Sequence, residues 1–81
     1  MAKKLELFYF PQCPFCQMVL GTIQQLDVEV ELLDIHQNSK AHQRLVDDTG
    51  RQTVPCLYID NKPMFESSDI MAWLKQNYSA K

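Results

Sequence analysis

Two cysteines, Cys13 and Cys16, flank Pro14 and Phe15, just after an aromatic-rich stretch and at the start of a helical pattern. A C-x-x-C pair at such a junction, in a cytosolic β-α-β setting, is a candidate for thiol–disulfide chemistry. A helix N-terminus offers unpaired N–H groups and a partial positive charge, and both favour an anionic sulfur at Cys13. The thiolate is the species that attacks a disulfide. Cys16, one turn further in, is positioned to resolve the mixed disulfide and is expected to be more buried and less acidic. The same spacing supplies half of a zinc site, which needs two further ligands. Only Cys56, His36 and His42 are on offer, and they form no second close pair, so redox chemistry ranks ahead and no metal is expected. With three cysteines a closed disulfide framework is excluded. Cys56 reads as a small buried hydrophobe in a strand, and both histidines read as surface residues.

Thr53-Val54-Pro55 is the second signal. A proline at the opening of a strand removes a ladder donor. Taken alone, the expected state is trans, since cis X-Pro bonds occur at about one in twenty.

Those residues need a frame. Residues 4–10 read as a buried strand ended by Pro11. Residues 14–26 read as a helix, with Pro14 in its first turn and Phe15, Met18, Val19, Thr22, Ile23 and Leu26 on one face. Residues 28–35 alternate as a second strand. A short helix runs from a cap at Ser39 to about residue 48, with Gly50 as its stop. Residues 54–60 form a third strand, Asn61-Lys62 a hairpin turn and residues 63–65 an edge strand. Ser67 or Ser68 caps a last helix whose buried stripe is Ile70, Trp73, Leu74 and Tyr78. The order β-α-β-α-β-β-α makes the first two strands parallel, through a right-handed crossover, and the hairpin antiparallel. The fold class is α/β, a four-stranded mixed sheet flanked by three helices, in one domain over residues 1–81.

Taken together, Cys13-Pro14-Phe15-Cys16 after the first strand and Thr53-Val54-Pro55 some forty residues on resemble the glutaredoxin branch of the thioredoxin fold, over essentially the whole chain. Glutaredoxins usually carry tyrosine where Phe15 stands. The resemblance implies a cis Val54–Pro55 bond and a Val54 backbone that pairs with the cysteine of bound glutathione. The segment Phe65-Glu66-Ser67-Ser68-Asp69-Ile70 departs from glutaredoxins and is more similar to the glutathione-binding edge of glutathione transferase N-terminal domains. It implies that the N–H groups of Ser67 and Ser68 take the γ-glutamyl carboxylate, with Glu66 or Asp69 on the amino group. The simpler alternative is a capping serine and an acid that complements the helix dipole. For the glycine carboxylate, Arg51 stands in for the Lys or Arg that glutaredoxins often place before the first cysteine, with Gln12 and Gln37 as neutral donors; Arg44 reads as solvated. Phe15 is either a core residue or a substrate contact.

The implied activity is glutathione-dependent reduction of protein disulfides or glutathione mixed disulfides, with glutathione as co-substrate and no tightly bound cofactor. Two alternatives are a glutathione-ligated iron–sulfur binding module and a detached transferase-type N-terminal domain. The formal net charge of −2, with Lys3-Lys4 as the only adjacent basic pair, excludes a nucleic-acid surface. No apolar run reaches membrane-spanning length. Residues 5–10 are too short and too acidic at Glu6 for a signal peptide. A cytoplasmic monomer is expected.

Overall fold

The computed structural model describes residues 4–78. Seven elements follow in order: β1 (Leu5–Tyr9), α1 (Pro14–Leu26), β2 (Glu31–Asp34), α2 (Ser39–Thr49), β3 (Cys56–Ile59), β4 (Lys62–Met64) and α3 (Ser67–Tyr78). The sheet order is β2-β1-β3-β4. β1 runs parallel to β2 and antiparallel to β3, and β4 closes an antiparallel hairpin on β3. This is the thioredoxin-like arrangement that the element order implied. No helix of the described residues is long and apolar enough to cross a membrane.

Strand alternation divides the core in two. Leu5 and Leu7 of β1 and Leu57 of β3 meet Val19 and Ile23 of α1 and Ile70 and Leu74 of α3. Phe8, Cys56 and Tyr58 point the other way, against Ile35 and against Ala41 and Leu45 of α2. Helices α1 and α3 pack on each other on the first face. That contact fixes the N-termini of both helices relative to one another.

Several boundaries differ from expectation, each for a local reason. β2 is confined to Glu31–Asp34, and Leu32 is half exposed because β2 is an edge strand with one neighbour. Asn38, not Ser39, caps α2: its side-chain oxygen accepts the Ala41 N–H at 3.1 Å. Gly50, at φ 72°, ends that helix as expected. The ladder of β3 begins at Cys56, one residue after Pro55. The hairpin turn is Asp60-Asn61, not Asn61-Lys62. Both residues have positive φ (50° and 71°), the geometry a two-residue turn needs and one that Asp and Asn tolerate. Neither serine caps α3. Ser67 is its first residue, and the Glu66 carbonyl accepts the first helical bond, from Ile70 N–H at 3.0 Å. In α3, Ile70 and Leu74 are buried while Trp73 and Tyr78 are half buried. On α1, Val19, Thr22 and Ile23 are buried as expected, but Phe15 and Met18 are not, at 58% and 50% exposed.

Arg44 is paired as well as partly solvated, with 33% of its side chain exposed. Its guanidinium forks onto the buried Glu6 carboxylate at 2.9 and 3.1 Å and lies over the Tyr58 ring, 4.5 Å from its centre. Tyr58 in turn donates its hydroxyl to Asp48 at 2.9 Å. This network satisfies a carboxylate that β1 carries into the α2 face of the sheet.

Candidate functional site

The chain between β1 and α1 is stitched down before it reaches the thiols. Cys13 N–H donates to the Phe10 carbonyl at 3.2 Å, and the Gln17 side-chain amide donates to the Pro11 carbonyl at 2.8 Å. Cys13 then takes the N-cap position of α1 with extended backbone (φ −83°, ψ 117°), and Pro14 opens the helix. The cap ligand is sulfur: Cys16 N–H donates to Cys13 Sγ at 3.4 Å. A backbone donor and the positive end of α1 thus converge on the Cys13 sulfur.

Cys16 is fully buried beneath it, while Cys13 keeps 8% of its surface. Burial pushes the Cys16 thiol up to about 12. The Phe10 backbone opposes this, and the hydrogen bond to Cys13 adds to it. Cys16 therefore holds its proton at neutral pH. The more buried and less acidic second thiol is as expected. Cys56 is buried as well, raised to about 12 by burial against the weaker pull of the Met64 backbone. All three cysteines are free thiols.

An open cleft of about 200 Å³ is lined by Phe15, Thr53, Val54, Pro55, Glu66 and Ser67; Phe15 stands between the two cysteines in sequence, but neither Cys13 nor Cys16 is in the lining. Its three walls are the first turn of α1, the segment before β3 and the start of α3. Val54–Pro55 is cis, and the Val54 backbone lies outside the β3 ladder. Glu66 has φ 72°, a left-handed conformation that non-glycine residues seldom adopt. From there α3 begins, leaving the N–H groups of Ser67, Ser68 and Asp69 without intrahelical partners. The cleft is smaller than the roughly 300–1,000 Å³ of enclosed small-molecule sites. An extended, peptide-like ligand lying across it fits better than an engulfed one.

Six of the site residues expected from the sequence thus line one cleft. Gln12, Ser68 and Asp69 are exposed next to it and do not line it. Gln37, also exposed, donates its own N–H to Asp34. Arg51 is likewise outside the lining, but its guanidinium sits over the Phe65 ring, 4.9 Å from its centre. Phe65, the residue before Glu66, is not in the lining either. Sequence reasoning missed Phe65 in this role, because no local pattern links residues fourteen apart across two strands. His36 is on the surface as expected, stacked on Phe10 at 4.3 Å. His42 is partly exposed, and its ring nitrogen lies 3.1 Å from the exposed Gln52 side-chain oxygen.

The model of the family described as "Glutathione S-transferase, N-terminal domain" matches residues 7–81. A chloroplastic monothiol glutaredoxin, S7, of rice (Oryza sativa subsp. japonica) is 39% identical over 61 residues, covering 75% of this chain and 36% of its own. The glutaredoxin of Haemophilus influenzae is 28% identical over 79 residues, covering 89% of this chain and 91% of its own. Among solved structures, an epsilon-class glutathione S-transferase of the housefly, Musca domestica, superposes with a TM-score of 0.81 at 26% identity, covering 96% of this chain and 37% of that one. This chain thus spans about a third of the rice protein and of the transferase, and nine tenths of the bacterial glutaredoxin.

Proposed function

The chain belongs to the glutathione S-transferase N-terminal domain family, and on that premise we propose that it is a glutathione-dependent thiol–disulfide oxidoreductase that uses Cys13 and Cys16. One observation carries the reading above the others: the Cys13 sulfur itself caps α1 and accepts the Cys16 N–H, with a proton-bearing Cys16 buried beneath. A domain that only bound glutathione would have no need of two thiols in this relation.

The Cys13 thiolate attacks the glutathione sulfur of a glutathionylated protein. That S–S bond breaks, a Cys13–glutathione disulfide forms and the protein leaves as a thiol after taking up a proton. A second glutathione thiolate then attacks the mixed disulfide, releasing oxidised glutathione and the Cys13 thiolate. On a protein disulfide, Cys16 performs the second attack, which leaves a Cys13–Cys16 disulfide for two glutathiones to reduce. In the glutathionyl intermediate the tripeptide lies across the cleft. The Val54 backbone pairs with its cysteine, the N–H groups of Ser67 and Ser68 hold the γ-glutamyl carboxylate, and Glu66 faces the amino group. Arg51, steadied on Phe65, meets the glycine carboxylate, with Gln12 as a neutral donor beside it. Phe15 closes the near wall. Because each turnover consumes reduced glutathione, the reading calls for a reducing compartment such as the cytoplasm.

A second reading is favoured by the Glu66-Ser67 edge and the family match: a transferase-type domain in which glutathione binds without reacting at Cys13. A hydroxyethyl disulfide assay coupled to glutathione reductase separates the two. The oxidoreductase loses all turnover in Cys13→Ser and keeps it in Cys16→Ser, which uses the single-thiol route. Turnover that survives in Cys13→Ser, or an inert wild type that still binds glutathione, gives the site to the second reading.

A further inference from the structure

Phe10 serves both active-site thiols without lining the cleft. Its carbonyl accepts the Cys13 N–H at 3.2 Å. Its backbone also bonds the Cys16 sulfur, against the rise that burial imposes on that thiol. Phe10 lies one residue beyond β1. The bond that ties β1 to the following loop, from Ile35 N–H to the Tyr9 carbonyl at 2.9 Å, falls one residue short of it.

What steadies Phe10 is a second ring. The His36 imidazole stacks on it, with ring centres 4.3 Å apart and planes 14° from parallel. Phe10 is half buried, so core packing leaves part of its ring open, and His36 covers it. A tight turn presents the imidazole. Asp34 Oδ1 accepts the His36 N–H at 2.8 Å, and the Asp34 carbonyl accepts N–H groups from Gln37 at 3.1 Å and Asn38 at 2.8 Å.

The two thiols depend on Phe10 unequally. Cys13 has other holds: its carbonyl accepts the Gln17 N–H at 3.1 Å, and its sulfur accepts the Cys16 N–H at 3.4 Å. At Cys16, burial and Cys13 both raise the thiol, and the Phe10 backbone alone lowers it. Loosening Phe10 therefore falls first on Cys16.

We propose that His36 is a positioning residue: its ring braces Phe10, and through the Phe10 backbone it holds Cys16 in line for the resolving step. The proposal rests on the oxidoreductase reading for that step. There Cys16 gives up its proton and attacks the Cys13 sulfur. The Cys13–glutathione S–S bond breaks, the Cys13–Cys16 bond forms, and glutathione leaves as a thiolate that takes up a proton. A misplacement near 1 Å costs such a step on the order of a hundredfold. An aromatic stack is worth about two- to tenfold in an equilibrium, so losing it slows the step without abolishing it.

The test prepares the Cys13–glutathione mixed disulfide of each protein and follows glutathione release in a single turnover, with no glutathione added. His36→Ala should slow release about three- to tenfold. His36→Phe, which stacks without a charge, should restore it. Cys16→Ser and Cys16→Ser/His36→Ala should reduce hydroxyethyl disulfide at the same rate, because Cys13 keeps its other bonds. Unchanged release in His36→Ala overturns the brace. Release that stays slow in His36→Phe gives the imidazole its role through charge or hydrogen bonding, and overturns the stack. A slower rate in Cys16→Ser/His36→Ala than in Cys16→Ser overturns the assignment to Cys16. If wild type forms no mixed disulfide, the oxidoreductase reading fails by itself. The brace is then read from hydrogen exchange of the Cys13 amide, which Phe10 holds. Exchange about three- to tenfold faster in His36→Ala and restored in His36→Phe supports it, and unchanged exchange overturns it.

Discussion

Cys56 gives the sharpest test of how the sheet separates its thiols. It has no exposed surface, and its thiol is raised from 9.0 to about 12 by burial. In the unfolded chain it ionises from pH 9.0 upward, while in the folded protein it stays protonated until about 12. A folded value above the unfolded one means that its contribution is intact below pH 9 and is lost as pH rises towards 12. Each pH unit in that window costs about 1.4 kcal/mol. Between about pH 8 and pH 10.5 the loss is therefore about 2 kcal/mol from this one group. Cys56→Val keeps the side chain apolar and close in volume, at a cost under about 1.5 kcal/mol, and removes the titration. Urea unfolding under reducing conditions, followed by Trp73 fluorescence, reads both proteins at both pH values. Cys16, also raised by burial, titrates in both proteins and cancels; Tyr58 is raised mainly by burial and by Asp48, with Cys56 a lesser cause, so it cancels except for that part. The variant should gain about 2 kcal/mol on wild type between the two pH values. Parallel stability curves would show that water reaches the Cys56 thiol, and would refute the placement of β3 between two covered faces.

Three further outcomes are expected. Arg44→Leu leaves the buried Glu6 carboxylate with only the longer Lys4 contact, at 3.9 Å, and should cost about 2–4 kcal/mol in urea unfolding, with Glu6→Leu/Arg44→Leu recovering part of it; a single variant within about 0.5 kcal/mol of wild type would make the pair a surface ornament. Arg51→Gln should raise KM for glutathione about three- to tenfold, as loss of one charge-assisted contact at an exposed rim, with kcat little changed; an unaltered KM removes Arg51 from the site. Glu66→Gly should stabilise the fold by about 0.5–1 kcal/mol by relieving the left-handed backbone while weakening glutathione binding; a gain in stability with no loss of binding would leave the conformation of Glu66 without a role in the ligand.

What the sequence revealed follows from how local each signal is. The motif Cys13-Pro14-Phe15-Cys16 carries its own helix start, so the cap and the burial order of the two thiols were both readable. The alternation Cys56-Leu57-Tyr58-Ile59 was enough to send the third thiol to the opposite core from Leu57. What could not be read are pairings between distant segments. Glu6 in an apolar strand gives no sign of its partner until α2 is laid over β1 and brings Arg44 onto it. Phe65 and Arg51 meet only because β3 and β4 fold back on each other. Phe15 and Met18 matched a helical core face by spacing, but the buried stripe of α1 is centred on Cys16, Val19 and Ile23, which leaves them on its margin. Periodicity fixes that a face exists, whereas the neighbouring helix decides where it ends.

The two cores also divide the work of the site. The first turns of α1 and α3, which line the cleft through Phe15 and Ser67, rest on the same apolar layer of Leu7, Val19, Ile23, Leu57, Ile70 and Leu74. The separation between the Cys13 sulfur and the N–H groups at Ser67 is therefore set by close-packed side chains, which resist displacement. The opposite layer carries the charged and hydroxyl groups, Glu6, Arg44, Asp48 and Tyr58, and holds α2, none of whose residues lines the cleft. Disulfide exchange needs three sulfurs in line, and a misplacement of the acceptor near 1 Å costs on the order of a hundredfold in rate. An arrangement that keeps the adjustable polar network on one side of the sheet and the site's foundation on the other protects that alignment from changes in α2.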